Sequence, residues 1–174
     1  MVPDPARVAA FRERLGLGRC IAIAWRSLQK GDREALARRK SIPLEAFAPL
    51  ARARGVRLLD LQYGDVEAER RAFDERHPGV RVRFDELDLL ADLEGIAAAI
   101  AACERVVTAS NVTAHIAGAV AALSTVVCLK GFPPFHYWVP GPDGRSPWYP
   151  SVEVAADPAW TTWEQALEAV AARI

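Results

Sequence analysis

The sequence has no apolar run long enough to cross a lipid bilayer. A transmembrane helix needs about 20 consecutive apolar residues, and the alanine-rich stretch over 96–102 is far shorter. That stretch predicts a buried helix face. The N-terminus also lacks the charged-then-apolar order of a signal peptide. These absences argue against a membrane span and favour a cytoplasmic protein.

An excess of charge of one sign is missing too. The 22 basic residues balance the 22 acidic ones, whereas a nucleic-acid-binding domain usually carries a basic surplus or stripe. We therefore expect no nucleic acid as a partner. Local clusters such as Arg38 and Arg39 can still gather around one phosphorylated ligand.

Cysteine and histidine are scarce. The three cysteines, Cys20, Cys103 and Cys128, are odd in number and too widely spaced for a disulfide framework or a zinc site. They predict a reduced protein, as in the cytoplasm. Three histidines, none of them paired at metal-binding spacing on one helix, leave little material for a Ser-His-Asp triad. We predict no metal.

The glycine-rich loops of common nucleotide-dependent enzymes are absent as well. The one GxG, over 16–18, precedes the first predicted strand, whereas the dinucleotide fingerprint follows its strand. The chain has no Walker-type lysine loop and no nucleophile elbow. A nicotinamide-dependent or phosphotransfer enzyme is therefore the weakest of the functional alternatives.

Apolar strand-like runs alternate with helical patterns along almost the whole chain of 174 residues. This order is typical of a parallel sheet with helices on both faces. We predict a single Rossmann-like, three-layer α/β/α domain over 1–174, with about five to six strands. Ligands bind such sheets beyond the carboxyl ends of the strands. The predicted strands cover 20–25, 56–61, 80–84, 105–108 and 125–129; the helices cover 4–16, 41–54, 65–76, 92–103, 112–122 and 161–172; loops cover 26–40 and 131–150.

The segment that follows the fourth strand is the best candidate for an anion site. It turns from a strand into a helix of small residues, and free N–H groups at a helix start attract anions. Ser110, Asn111 and Thr113 add polar side chains there, beside the amide of Val112. In the alternative, Ser110 or Asn111 only caps the helix and His115 packs in the interior. Both alternatives stay open.

A basic loop follows the first strand and reaches the same edge of the sheet. Lys40 can contact a ligand phosphate as a point charge. The same loop carries Arg26, while Arg33 and Arg38 are better explained as solvated surface residues. We expect Trp25 to serve mainly in packing.

Two further loops lie at this predicted edge. Gln62 and Tyr63 can face a nucleoside, and Gly64 can admit close approach of a ligand, although a plain turn is equally consistent. The acidic run over 85–92 can in principle hold a divalent cation, but caps and surface charges explain it better. Backbone groups of Leu87 and Leu89 are weaker candidates for contacts with a base.

An aromatic, proline-rich loop over 130–150 follows the fifth strand. Long loops inside small domains often carry function. Its aromatic rings and nearby basic residues suit sugar stacking or contact with a partner domain. Alternatively, the loop covers an edge of the sheet.

Five segments together resemble a known family: 23–27, 40–45, 61–65, 110–119 and 146–151. They look like the C-terminal region of bacterial proteins in which tetratricopeptide repeats precede a glycosyltransferase-like module. That module is similar to the lipopolysaccharide heptosyltransferases. The resemblance covers nearly the whole chain. Heptosyltransferases usually have Asp-Thr where this chain has Ser110-Asn111. The resemblance therefore does not imply that the transferred sugar is a heptose.

The resemblance implies a two-domain GT-B glycosyltransferase whose C-terminal domain binds a nucleotide-diphosphate sugar as donor substrate, without a separate cofactor. Lys40 would contact the diphosphate, and Ser110, Asn111, Val112, Thr113 and His115 would hold the phosphates and sugar. Tyr63 and Gly64 would lie near the nucleoside.

The resemblance also implies partners for this chain. In such enzymes the acceptor site and usually the catalytic base belong to an N-terminal domain. That domain and the repeats would be absent here, and Met1 would mark an engineered or truncated start. We therefore expect a donor-binding domain of an inverting, metal-independent enzyme that acts on a protein or surface glycan. Alone it would bind donor weakly and transfer nothing. The alternative is a non-catalytic interaction module with a degenerate nucleotide pocket.

Overall fold

Parallel strands form the centre of the computed structural model, which describes residues 1–16, 18–27, 34–52, 55–129 and 138–174. Within these ranges six strands make one sheet in the order β3-β2-β1-β4-β5-β6, and every neighbouring pair is parallel. The predicted fold class is confirmed. The strands are β1 (Cys20–Ala24), β2 (Arg57–Asp60), β3 (Arg81–Val82), β4 (Arg105–Thr108), β5 (Ser124–Cys128) and β6 (Val152–Ala156).

Helices cover both faces of the sheet. One face packs against α1 (Pro5–Leu15), α4 (Leu93–Ala102) and α5 (Val112–Ala119). The other face packs against a 3-10 helix (Leu44–Ala51), α3 (Glu67–Arg76) and α6 (Trp163–Ala171). Strands covered on both faces must be apolar throughout. All five residues of β1 and all five of β5 are accordingly buried.

The first helix forms as its sequence predicts. Asp4 caps it, because its side chain accepts a hydrogen bond of 2.9 Å from the Ala6 amide, and Pro5 occupies the first turn. Gly16 follows the helix with a positive φ of 70°, a conformation that suits glycine.

The long loop predicted over 26–40 is wrong in its second half, where α2 (Glu34–Lys40) forms. Its highly charged sequence hides any apolar periodicity. The following helix is a 3-10 helix that ends at Ala51, not at 54. Pro49 lies inside it, and a proline has no N–H to donate to the preceding turn.

The sixth strand is one that the sequence pattern did not locate. β6 pairs with β5 at the edge of the sheet, and on its other side it exchanges backbone hydrogen bonds of 2.9 Å with Gly144 and Ser146. Val152 and Val154 are buried, and Glu153 between them is partly exposed. This short alternation follows a long irregular segment, which obscures it.

The strand order reverses between β1 and β4, and this fixes the position of the main crevice. Because these two strands are neighbours, the segments that leave them, 25–27 and 109–111, meet at the carboxyl edge of the sheet. No helix in the described ranges has the length and apolar character needed to cross a membrane.

Candidate functional site

Asn111 caps helix α5 and at the same time holds the end of β1. Its Oδ1 accepts from the Ala114 amide at 3.4 Å and from the Thr108 hydroxyl at 3.2 Å. Its Nδ2 donates to the carbonyl oxygens of Ala24 and Arg26, each at 3.3 Å. Asn111 thus caps the helix, and both its Oδ1 and its Nδ2 are engaged in hydrogen bonds within the protein.

The first backbone amides of α5 remain available. Among the residues that the structure describes, the N–H groups of Val112 and Thr113 have no acceptor. Val112 is 48% exposed, whereas Thr113 is buried. Unpaired amides at a helix start carry the positive end of the helix dipole. An anion is the ligand that such a group favours.

Ser110 lies under a buried tryptophan. Trp138 Nε1 donates to Ser110 Oγ at 3.0 Å, and the ring packs with Ala114, Val126 and Val152 between α5 and the sheet. At this position the aromatic segment therefore covers the core, as one of its two alternatives predicts. The rest of that loop over 130–137 lies outside the described residues.

His115 belongs to an aromatic cluster on α5. Its Nδ1 lies 3.2 Å from the hydroxyl oxygen of Tyr149, and its ring centroid lies 5.0 Å from that of Trp138. Tyr149 packs so closely on the helix that a Cβ at Gly118 would overlap its ring. Burial lowers the pKa of His115, and the nearby positive charge of Lys40 lowers it further.

Lys40 lies at the C-terminal end of α2 with 5% of its surface exposed. Burial lowers the pKa of its ammonium group. The next residue, Ser41, accepts from the Ser27 amide at 3.3 Å, and Asn111 donates to the Arg26 carbonyl at 3.3 Å. The end of the basic loop and the start of α5 therefore meet the same segment after β1.

Gln62, which was predicted to face a nucleoside, is instead completely buried and forms internal hydrogen bonds. Its Oε1 accepts from the amides of Trp25 at 2.9 Å and Arg26 at 2.7 Å. Asn111 donates to the carbonyls of the same segment from the other side. We call these two side chains, Gln62 and Asn111, the amide clamp. A glutamine at the end of an apolar strand is a signal that could have revealed it.

Arg26, another basic residue of this loop, forms an ion pair within the protein. Arg26 pairs with Glu69 at 2.5 Å, and Trp25 Nε1 donates to the same carboxylate at 3.0 Å. Trp25 is completely buried, which confirms its predicted packing role. Arg33 lies outside the described residues.

A buried ion-pair network lies beneath the end of β2. Asp60 accepts from Arg70 Nε and from Arg81 Nη1, both at 2.8 Å, and Arg81 also contacts Asp74. Arg70 then donates to the Gln62 carbonyl at 2.6 Å. The signal for this network in the sequence is Asp60, a carboxylate at the end of the apolar run of β2.

Tyr63 and Gly64 line a cavity of about 350 Å³ between the segments that follow β2 and β3. Leu87 and Leu89 line the same cavity, so the structure joins two features that the sequence presents separately. The Leu87 amide is already used, since it donates to Phe84 O at 3.0 Å. The volume falls within the range of small-molecule sites.

The acidic run over 85–92 serves in caps and ion pairs. Asp88 accepts from the amides of Leu90 and Ala91 at 2.8 and 3.0 Å. Asp92 caps α4 through Gly95 N at 2.8 Å and pairs with Arg7, while Glu86 pairs with Arg14. Across the described ranges, no three His, Cys, Asp or Glu side chains form a cluster suited to a metal.

Comparison with known proteins shows the same fold in glycosyltransferases. No family model matches the chain. It is 36% identical over 173 residues to Protein FlbA of Caulobacter vibrioides, covering 97% of this chain and 28% of that protein. The structure superposes on ADP-heptose lps heptosyltransferase II of E. coli with a TM-score of 0.61 at 15% identity, covering 97% of this chain and 51% of that one. For the E. coli heptosyltransferase WaaC with ADP-2-deoxy-2-fluoro heptose, the TM-score is 0.55 at 16% identity, with coverage of 96% and 48%.

These likenesses establish the α/β fold shared with heptosyltransferases of the GT-B class. The chain spans about half the length of those structures and just over a quarter of FlbA.

Proposed function

We propose that this chain is the donor-binding domain of a glycosyltransferase and holds the diphosphate of a nucleotide sugar at the start of α5. One observation carries the proposal: the amides of Val112 and Thr113, which have no acceptor among the described residues, lie at the strand-order reversal, where the segment after β1 contacts both Asn111 and Ser41, the neighbour of Lys40. Amides, helix dipole and ammonium group all favour the same doubly charged ligand.

The fold supports this function by analogy. Two structures of the same fold are heptosyltransferases, one of them described with an ADP-sugar. A shared fold permits many functions, so the proposal depends mainly on the residues around the start of α5. In the proposed complex Tyr63 and Gly64 contact the nucleoside from the 350 Å³ cavity.

In the reaction, negative charge develops on the diphosphate as the glycosidic bond breaks. The α5 amides and Lys40 stabilise this charge, which makes a metal unnecessary in our proposal. His115 lies beside them and can donate a hydrogen bond to a phosphate oxygen or to the sugar. The transfer is inverting, the acceptor is a protein or surface glycan, and a second domain supplies the acceptor site and the base. The parent protein is cytoplasmic, with tetratricopeptide repeats.

The amide contact can be tested by one substitution. Val112→Pro removes the N–H group, and proline suits the first position of a helix. Asn111 already has the extended backbone that a following proline requires. Calorimetry with ADP-, UDP- and GDP-sugars should show one preferred donor, and Val112→Pro should weaken it about 10- to 100-fold, the cost of one charge-assisted hydrogen bond.

Val112→Ala is the matched control, because it shortens the same exposed side chain and keeps the amide. It should bind like the unmodified protein, whereas Lys40→Ala should lose affinity. Equal binding by the proline and alanine variants would refute the amide contact.

A second function, a non-catalytic interaction module, is favoured by the side chains of Ser110 and Asn111. Both form internal hydrogen bonds, to Trp138 in one case and to the end of β1 in the other. Trp148, 63% exposed, offers an apolar contact for a partner. Absence of binding to every nucleotide sugar, also when the rest of the parent protein is present, would favour this module.

A further inference from the structure

Two cysteines that are 83 positions apart in the sequence meet at the amino edge of the sheet. Cys20 begins β1 and Cys103 follows α4, and their sulfur atoms lie 3.8 Å apart. The pairing of β1 with β4 brings them together, since the Glu104 amide donates to the Cys20 carbonyl at 2.9 Å. Spacing in the sequence gives no hint of this contact.

We propose that Cys20 and Cys103 form a redox-active dithiol that peroxide converts into a disulfide. This inference is independent of the donor site, which lies at the opposite edge of the sheet. A disulfide requires sulfur atoms about 2 Å apart, so the two atoms must approach by roughly 2 Å. Cys103 lies at the end of α4 and Cys20 at the start of β1, so neither cysteine is in the interior of its helix or strand.

A surface cleft gives small oxidants access to both thiols. Its volume is about 730 Å³, and its walls come from the end of α1 and from the segment around Cys103. Cys20 and Cys103 both line it, together with Arg12 and Arg19. Cys20 itself is buried, so hydrogen peroxide is a better oxidant here than a bulky disulfide.

The hydrogen bond between the thiols favours reaction at Cys20. The Cys103 thiol donates to Cys20 Sγ, and this bond lowers the pKa of Cys20. The thiolate is the nucleophilic form of cysteine. Cys128 provides a contrast within the same chain, because burial raises its pKa to about 11.

The reaction balances with peroxide as the oxidant. The Cys20 thiolate attacks one oxygen of H₂O₂; an S–O bond forms, the O–O bond breaks, and the departing hydroxide takes a proton to leave as water. Cys103 then attacks the sulfenic sulfur; the S–S bond forms, the S–O bond breaks, and its proton leaves with hydroxide as a second water. Two thiols are oxidised by two electrons in total, and one peroxide is reduced to two waters.

The test is peroxide titration of the purified protein, followed by alkylation under denaturing conditions and mass spectrometry. We expect a mass loss of about two hydrogens, one remaining alkylation site at Cys128, and a peptide joining Cys20 to Cys103 that thiol reductants release. The pair should disappear at least about tenfold faster than Cys128 is oxidised, because its thiolate fraction is larger.

Cys128→Ser is the matched control and should leave the cross-link unchanged. Cys103→Ser should stop at a sulfenic acid on Cys20, which a dimedone-type reagent traps. The inference is overturned if the unmodified protein gains oxygen without a cross-link, joins Cys128 instead, or forms only intermolecular disulfides.

Discussion

The two halves of the carboxyl edge use charge in opposite ways. Beneath β2 and β3, Asp60 and Asp74 neutralise Arg70 and Arg81 in a mostly buried network. Between β1 and β4, by contrast, the charge of Lys40 acts on His115 and the neighbouring α5 amides have no acceptor among the described residues. Carboxylates therefore neutralise the arginines in one half, whereas in the other half helix amides without an acceptor among the described residues supply positive potential.

This difference explains where a diphosphate can bind. A buried ion pair cancels its own field and offers little to a ligand. Helix amides without an acceptor among the described residues attract an anion, because they carry the positive end of the helix dipole. The half beneath β2 and β3 carries more charged side chains, but these pair with one another and stabilise the fold.

The comparison predicts that Asp60→Ala has the largest effect on stability. The substitution leaves two arginines buried without their carboxylate, which typically costs about 3–5 kcal/mol. Urea unfolding followed by circular dichroism measures the change. Asp74→Ala is the control, because Asp74 is a partly exposed partner of Arg81, and it should cost about 1 kcal/mol or less. Equal losses in the two variants would mean that the network is not the structural element of this half.

The amide clamp connects the two halves and predicts a smaller effect. Asn111→Asp keeps an acceptor for the Ala114 amide, so the cap survives, but it places carboxylate oxygen against the carbonyls of Ala24 and Arg26. We expect a loss of about 1–3 kcal/mol in unfolding free energy.

If Asn111 acted only as a cap, aspartate would be as good or better, since it also favours the helix dipole. Asn111→Ser is the matched comparison, because serine caps without adding charge and should lie between the two. An aspartate variant as stable as the unmodified protein would contradict the clamp.

The sequence was sufficient for the fold because continuous apolar runs leave few alternatives to a doubly covered parallel sheet. It was insufficient where a segment lacks apolar periodicity, as in α2, or where a short alternation follows a long irregular segment, as in β6. Pro49 changed the type of a helix whose approximate position was predicted.

At the site, the strand order was needed before residues could be grouped. Lys40 and the 110–115 segment were predicted to share an edge, and in the structure Ser41 and Asn111 both contact the segment that follows β1. The contacts of Gln62 with Trp25 and Arg26 depend on which strands are neighbours. So does the contact between Cys20 and Cys103. Sequence distance carries no information on such pairs.

The smallest predicted effect tests the positive potential itself. Lys40→Met should raise the pKa of His115 towards its ordinary value, because the substitution removes a repelling charge while burial remains. Histidine NMR titration measures this shift, and Lys40→Arg should preserve the low pKa. Because His115 binds its proton less readily when folded than when unfolded, its contribution to stability is full above about pH 6.5 and decreases as pH falls below that value. The decrease should be weaker in Lys40→Met. An unchanged His115 pKa in that variant would show that the two halves of the edge do not differ in potential.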